Sequence, residues 1–148
     1  RAPPDNVTCA FQHLFTLRPS LPPGSFVFVL SDFMVMPSEE IWTNALERRW
    51  DVVPVIVQDP TWERTFPDVS GASVPVVDPH TGNVTYLRLS KRETAERREQ
   101  NEARWQLLLD TFLFLDIEPV VLASSRPDEI LDAFIWWSEM RLHWKALA

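Results

Sequence analysis

The sequence of 148 residues holds one cysteine, one tyrosine, three histidines and three glycines. A single thiol, Cys9, excludes an internal disulfide and suits a reducing, cytoplasmic compartment. Gly24, Gly71 and Gly82 are too scattered for a phosphate-cradling loop, which needs glycines within one turn. Three dispersed histidines assemble no nucleophilic triad. No apolar run reaches the ~18 residues that cross a bilayer, and no stretch reads as a secretory leader. Glycosylation is therefore not expected at the sequons Asn6-Val7-Thr8 and Asn83-Val84-Thr85. Positive charge is also scarce: 14 Lys and Arg face 21 Asp and Glu, for a net charge of −7. With no basic stripe, nucleic acid is excluded as the expected partner.

What is present is apolar. Hydrophobic residues make up 45% of the chain, with nine Phe and seven Trp, enough for a one-domain core that hides roughly 70% of the unfolded surface. Thirteen prolines punctuate the connections. The first residue is Arg1 rather than Met, so the chain is expected to be a piece of a longer protein.

The densest apolar stretch is Phe26, Val27, Phe28, Val29 and Leu30, followed by Ser31 and Asp32. Its lack of alternation predicts a strand buried on both faces. Before it, Val7, Phe11, Leu14 and Phe15 recur at helical spacing, with Asp5 or Asn6 as cap. Cys9 and His13 lie one turn apart there; with no third member, a plain helix surface is expected. After Asp32, Ile41, Trp42, Ala45 and Leu46 form the inward face of a second helix over about residues 38–50. A second apolar strand follows over 52–57, so the unit is β-α-β with parallel strands. Pro54 removes one ladder donor and predicts light pairing on one side at that point.

Asp32 and Asp59 both follow strands at their carboxyl ends, where open α/β sheets keep their ligands. Two such carboxylates could act as an acid/base pair or bind metal; the plainer reading is that Asp59-Pro60 starts a turn. Residues 73–77 and 84–89 flank Asp78-Pro79-His80-Thr81-Gly82-Asn83, which predicts a β-hairpin over about 73–89. His80 at its tip has no second ligand at metal spacing. Ser90-Lys91-Arg92-Glu93 is a capping box, opening a long helix to about 115. Pairs Arg92–Glu96, Glu93–Arg97 and Arg98–Glu102 are expected along its charged first half, with a core face from Trp105 through Leu108 and Phe112. A third core strand over 118–123 precedes a last helix over about 127–145. That helix is apolar nearly all round, more than one sheet face can cover.

Taken in order, these marks resemble the carboxyl half of a von Willebrand factor A-like domain. More narrowly, they resemble the bacterial domain of unknown function 58, associated with MoxR-type AAA+ ATPases. The motifs that carry the resemblance are Phe28-Val29-Leu30-Ser31-Asp32-Phe33, Val57-Gln58-Asp59-Pro60 with Phe66-Pro67-Asp68, and Asp78-Pro79-His80-Thr81-Gly82. It implies an α/β fold, part of a doubly wound, Rossmann-like parallel sheet with an inserted hairpin, over residues 1–148. It also implies a divalent ion, usually magnesium, in the complete domain. Asp32 matches the last metal-binding Asp of the family, and Asp5, or Thr8 on a looser alignment, its Thr. The family's Asp-x-Ser-x-Ser loop occurs nowhere in this chain, so no cofactor is expected on the chain alone. One carboxylate and one further oxygen cannot replace the six that magnesium takes.

The expected function is a protein-interaction module working with a MoxR-type ATPase, without enzymatic activity; the alternative is a carboxylate-based hydrolase or phosphotransfer domain using Asp32 and Asp59. With the family's earlier strands absent, Phe26 through Leu30 lose a neighbour. A second copy pairing antiparallel through that strand is expected to replace it.

Overall fold

The computed structural model describes residues 6–17, 21–78 and 81–147, with side chains through residue 143. Asp5 and His80 lie outside the described residues. The elements are α1 (Asn6–Thr16), β1 (Phe26–Ser31), α2 (Glu39–Glu47), β2 (Asp51–Val57), β3 (Ser73–Val77), β4 (Val84–Arg88), α3 (Lys91–Phe114), β5 (Val120–Leu122) and α4 (Pro127–Leu147). They divide into two compact units, Arg1–Gln58 with Leu108–Ala148, and Asp59–Leu107.

The first unit is α/β. Its sheet has three parallel strands in the order β1-β2-β5. Phe26 stands beside Asp51 and Ser31 beside Ile56, while β5 joins only at Val55, Ile56 and Val57. At Pro54 the central strand therefore pairs on one side, where its missing donor does no harm.

Alternation sorts the side chains between two faces. On one, Val53, Val55 and Val120 form a core with Trp137 of α4, against which Leu122 and Phe134 also pack. On the other, Val27, Val52 and Ile56 are buried. The helices that close this face meet in an aromatic cluster: Trp42 of α2 lies edge-on to Phe11 of α1 at 5.4 Å and to Phe112 of α3 at 5.3 Å. Arg48 stacks over Phe15 at 4.2 Å, and Phe15 stacks on Trp50 at 5.8 Å, so α1 is tied to the end of α2.

The expectation that β1 is buried on both faces is corrected. Phe26 is 57% exposed, Phe28 47% and Leu30 68%. The reason is position: β1 is an edge strand, and α4 lies over β2 and β5, reaching β1 only through Phe134 and Trp137 on Phe28 and Arg141 over Phe26.

In the second unit β3 and β4 form an antiparallel pair, with Val77 beside Val84, as the turn chemistry predicts. The capping box forms as expected. Ser90 Oγ accepts from Glu93 N–H at 3.2 Å, and Glu93 Oε2 accepts from Ser90 N–H at 2.8 Å. Of the three expected ion pairs only Arg92–Glu96 forms, at 2.7 Å. Glu93 is held by Ser90 instead. Arg98 donates to the Phe66 carbonyl at 2.9 and 3.0 Å instead of pairing with Glu102.

Candidate functional site

The best-defined polar site lies at the carboxyl end of β1. Sheet pairing stops at Ser31, and the chain turns through Asp32 and Phe33. Phe33 has φ +49, in the left-handed region where a side chain crowds its own backbone. Its ring is almost wholly buried, edge-on to Phe112 at 5.6 Å and 6.1 Å from Trp42. Burying a Phe side chain contributes about 1.5–3 kcal/mol, enough to offset a penalty of about 1–2 kcal/mol for that backbone conformation. Two local hydrogen bonds fix the turn: Phe33 N–H donates to Ser31 Oγ at 3.0 Å, and Met34 N–H to Asp32 Oδ1 at 3.1 Å.

A third tie comes from β2. Gln58, only 4% exposed, donates through Nε2 to the Asp32 carbonyl. Because that acceptor fixes the amide orientation, Oε1 is left buried with no hydrogen-bond partner among the described residues. The result is an exposed carboxylate on a turn held from three directions.

Asp32 shares a shallow cleft with the first turn of α1, whose Asn6 and Val7 line it beside Ser31. Of the residues expected by resemblance, then, Asp32 is on the rim of this cleft. Thr8 lies half-buried in α1 and does not line it. Sequence reasoning missed Asn6 as a polar group lining this cleft and Gln58 as the buried brace of the Asp32 turn. The available signal was a Gln directly after an apolar strand.

Among the described residues the donor set does not fit a magnesium site: Asp32 is the one charged side chain of these that lines the cleft, and its Oδ1 and the Ser31 hydroxyl already serve the turn. Among the described residues no group of three or more His, Cys, Asp or Glu is placed to hold a metal ion.

Asp59 is used differently. It caps a π-helical turn, Pro60–Arg64, with Oδ1 accepting from Thr61 and Trp62 N–H at 2.7 and 3.0 Å. Its own N–H donates to Glu63 Oε2 at 2.6 Å. This is the turn start that Asp-Pro predicts, and it occupies the carboxylate that a hydrolytic mechanism would need. The carbonyls of the turn are bound within the same unit: Asn101 donates to Trp62 and Thr65, and Arg104 to Glu63 at 2.6 Å. Arg64 stacks over Trp105 at 4.5 Å. Burial lowers its pKa, against the raising effect of Asp59 and Glu63, and an arginine remains charged regardless.

No helix among the described residues is long and apolar enough to cross a membrane. No family model matches the chain, and neither a curated protein nor a solved structure matches it.

Proposed function

We propose that the chain is a non-enzymatic protein-interaction module, cytoplasmic, of von Willebrand factor A-like type. Its three parallel strands correspond to the carboxyl half of a doubly wound sheet, and it works with a MoxR-type AAA+ ATPase. The motif order from Phe28 through Gly82 supports the family reading. The engaged state of the Asp59 carboxylate weighs for binding over hydrolysis. Magnesium would enter only where a complete domain adds the Asp-x-Ser-x-Ser loop beside Asp32.

One observation carries the proposal: β1 pairs only with β2, so its other edge has no strand partner among the described residues. Natural edge strands are protected by charges, prolines or bulges, and residues 26–31 hold no charge and no proline. Such an edge is a template for strand addition. A second copy pairing antiparallel through β1 satisfies it, and a sum of residue numbers that is even keeps like faces together, with Phe28 opposite Phe28 of the second copy.

Light scattering on the purified chain tests this. A dimer is expected at micromolar concentration, and Leu30→Lys, at an exposed position, should shift it to monomer. Interferometry against a purified MoxR-type ATPase with ATP should show micromolar binding. A monomer indifferent to Leu30→Lys would remove the strand-pairing part, and absence of ATPase binding the partner assignment.

A further inference from the structure

Among the described residues β3 and β4 are the most exposed strands. All five residues of β4 and four of β3 face solvent, and Val74 alone is half-buried. A lone two-stranded ribbon is marginal in water; a third strand or a helix against one face makes such a pair stable.

Register decides which backbone groups of the ribbon are already used. Asp78 N–H donates to the Asn83 carbonyl at 2.9 Å, just beyond the Val77–Val84 pair. Bonded and non-bonded pairs alternate along an antiparallel ladder, so Val76–Thr85 and Val74–Leu87 are the bonded ones. Ser73–Arg88, Pro75–Tyr86 and Val77–Val84 then point their backbone groups outward, away from the partner strand. The two outer edges are not equivalent. On β3 the middle position is Pro75, which has no N–H to offer, the usual protection of a natural edge. On β4 the N–H groups of Val84, Tyr86 and Arg88 form an unbroken row, with no third strand among the described residues to meet it.

The side chains of that row share one face. Val84 is 53% exposed and Tyr86, the one tyrosine of the chain, 70%. Val77 and Pro75 stand across from them, which makes an apolar platform with Arg88 at its end. Arg88 Nε donates to the Gly71 carbonyl at 3.1 Å, and among the described residues no carboxylate pairs with its guanidinium.

We propose that the outer edge of β4 takes up an extended, acidic segment of a partner protein as a third strand. Running antiparallel, the segment sets an Asp or Glu opposite Arg88 and apolar residues opposite Tyr86 and Val84, the pattern acidic-x-apolar-x-apolar. Main-chain hydrogen bonds hold it, and alternate side chains on the Tyr86 face select it. A helix cannot fill the place, because its own N–H and C=O groups are bonded internally. A second copy is the poorer occupant. A two-fold through Tyr86 would set each Arg88 opposite Val84 of the other copy, without an acid. Combined with pairing through β1, it would also join copies into an open chain rather than a closed pair. No group of β1 takes part in this site.

The test uses the full chain and a labelled peptide of about nine residues, within the usual strand length, centred on Glu-Thr-Val-Thr-Val. Fluorescence anisotropy should show micromolar binding. N-methylation of the first Val, whose N–H faces β4, should weaken binding at least about tenfold. N-methylation of the Thr before it, whose N–H points away, should leave binding nearly unchanged. Exchanging the Glu for Lys should weaken binding about fivefold, and Arg88→Glu should reverse that order. Val84→Pro removes an outward N–H without touching the β3–β4 ladder, and should abolish binding. Circular dichroism checks the fold of both variants. Leu30→Lys should bind the peptide as the parent chain does. No binding of the peptide, equal effects of the two N-methyl groups, or full binding by Val84→Pro would overturn the proposal. So would an Arg88→Glu variant that keeps the original order. Loss of binding in Leu30→Lys would move the peptide to β1, and self-association abolished by Val84→Pro would make a second copy the occupant; either would overturn it too.

Discussion

The two units of the chain hold their structure by different means. In Arg1–Gln58 with Leu108–Ala148, parallel strands are buried from below by Phe11, Trp42 and Phe112 and from above by Trp137. In Asp59–Leu107, β3 and β4 are exposed along nearly their whole length, and the buried residues are few, Leu89 and Thr94 among them. What fixes that unit is polar: Arg98, Asn101 and Arg104 bind loop carbonyls, Ser90 and Glu93 cap each other, and Gly71 N–H donates to the Leu89 carbonyl at 2.9 Å. Apolar burial is additive over area, whereas each polar tie nets about 0.5–1.5 kcal/mol. Damage should therefore be deep in the first unit and shallow in the second.

The largest expected effect is Trp42→Ala. Its ring joins α1, α2 and α3 and closes over the turn at Phe33. Truncating a buried Trp costs about 3–5 kcal/mol, a large part of a domain stability of about 5–15 kcal/mol. Urea unfolding followed by circular dichroism should show the midpoint fall accordingly. Trp42→Phe should cost far less, because the indole Nε1 is buried without a hydrogen-bond partner among the described residues and its removal relieves that penalty. Equal losses for the two variants would mean that the indole is satisfied in solution.

Arg141→Ala comes next. The guanidinium donates to both Asp51 oxygens at 2.6 and 2.7 Å, and it lies 4.8 Å from the Trp137 ring. Both partners are about four-fifths buried, so the carboxylate would be left half-desolvated. A loss of about 2 kcal/mol is expected, below the 3–5 kcal/mol for a fully buried pair. Arg141→Lys keeps the charge but not the planar group stacked over Trp137, and should recover only part of it in the same unfolding measurement.

Much of the first unit was legible because its signals are local. An apolar run, a helical stripe and a second apolar run give a parallel β-α-β unit without tertiary knowledge, and the capping box at Ser90 is readable in four residues. The exposed face of β1 was not legible. Phe26, Phe28 and Leu30 alternate with Val27 and Val29, so both parities are apolar and periodicity cannot tell which face lacks a helix. Phe33 gave no warning of a left-handed backbone, since the usual marker is Gly or Asn; the conformation is imposed by the pocket that receives its ring. Gln58 and Arg98 find acceptors 26 and 32 residues away, and no helical or strand spacing encodes a partner at that distance.

In the second unit a single polar tie should matter less and be confined. Ser90→Ala removes the N-cap hydroxyl of α3, at about 1 kcal/mol. Hydrogen bonds from the Ser90 backbone and hydroxyl hold the Glu93 carboxyl below its ordinary pKa. A carboxyl whose folded pKa is depressed stabilises fully above its unfolded pKa. That contribution fades as pH falls through the folded value. The first turn of α3 should therefore fray below about pH 4. In Ser90→Ala an NMR titration should find the Glu93 pKa moved partway back toward the ordinary value, the backbone donor remaining. An unchanged pKa would mean that the hydroxyl does not bond Glu93 in solution.

The smallest effect is expected at the hairpin tip. Asp78 N–H donates to the Asn83 carbonyl at 2.9 Å and Gly82 N–H to the Asp78 carbonyl at 2.8 Å, closing the loop just beyond the Val77–Val84 pair. Gly82 takes φ +71, which a glycine accepts without strain. The loop lies beyond the last strand pair of its own unit. Replacing residues 79–82 by Asn-Gly gives the two-residue turn that matches strand twist, so the β3–β4 register survives. Stability should change by no more than about 0.5 kcal/mol, the usual range for a surface change, and thermal unfolding should stay cooperative. Loss of a cooperative transition would show that the weakly covered ribbon is a structural support of its unit, and the contrast between the two units would then have to be drawn elsewhere than at burial.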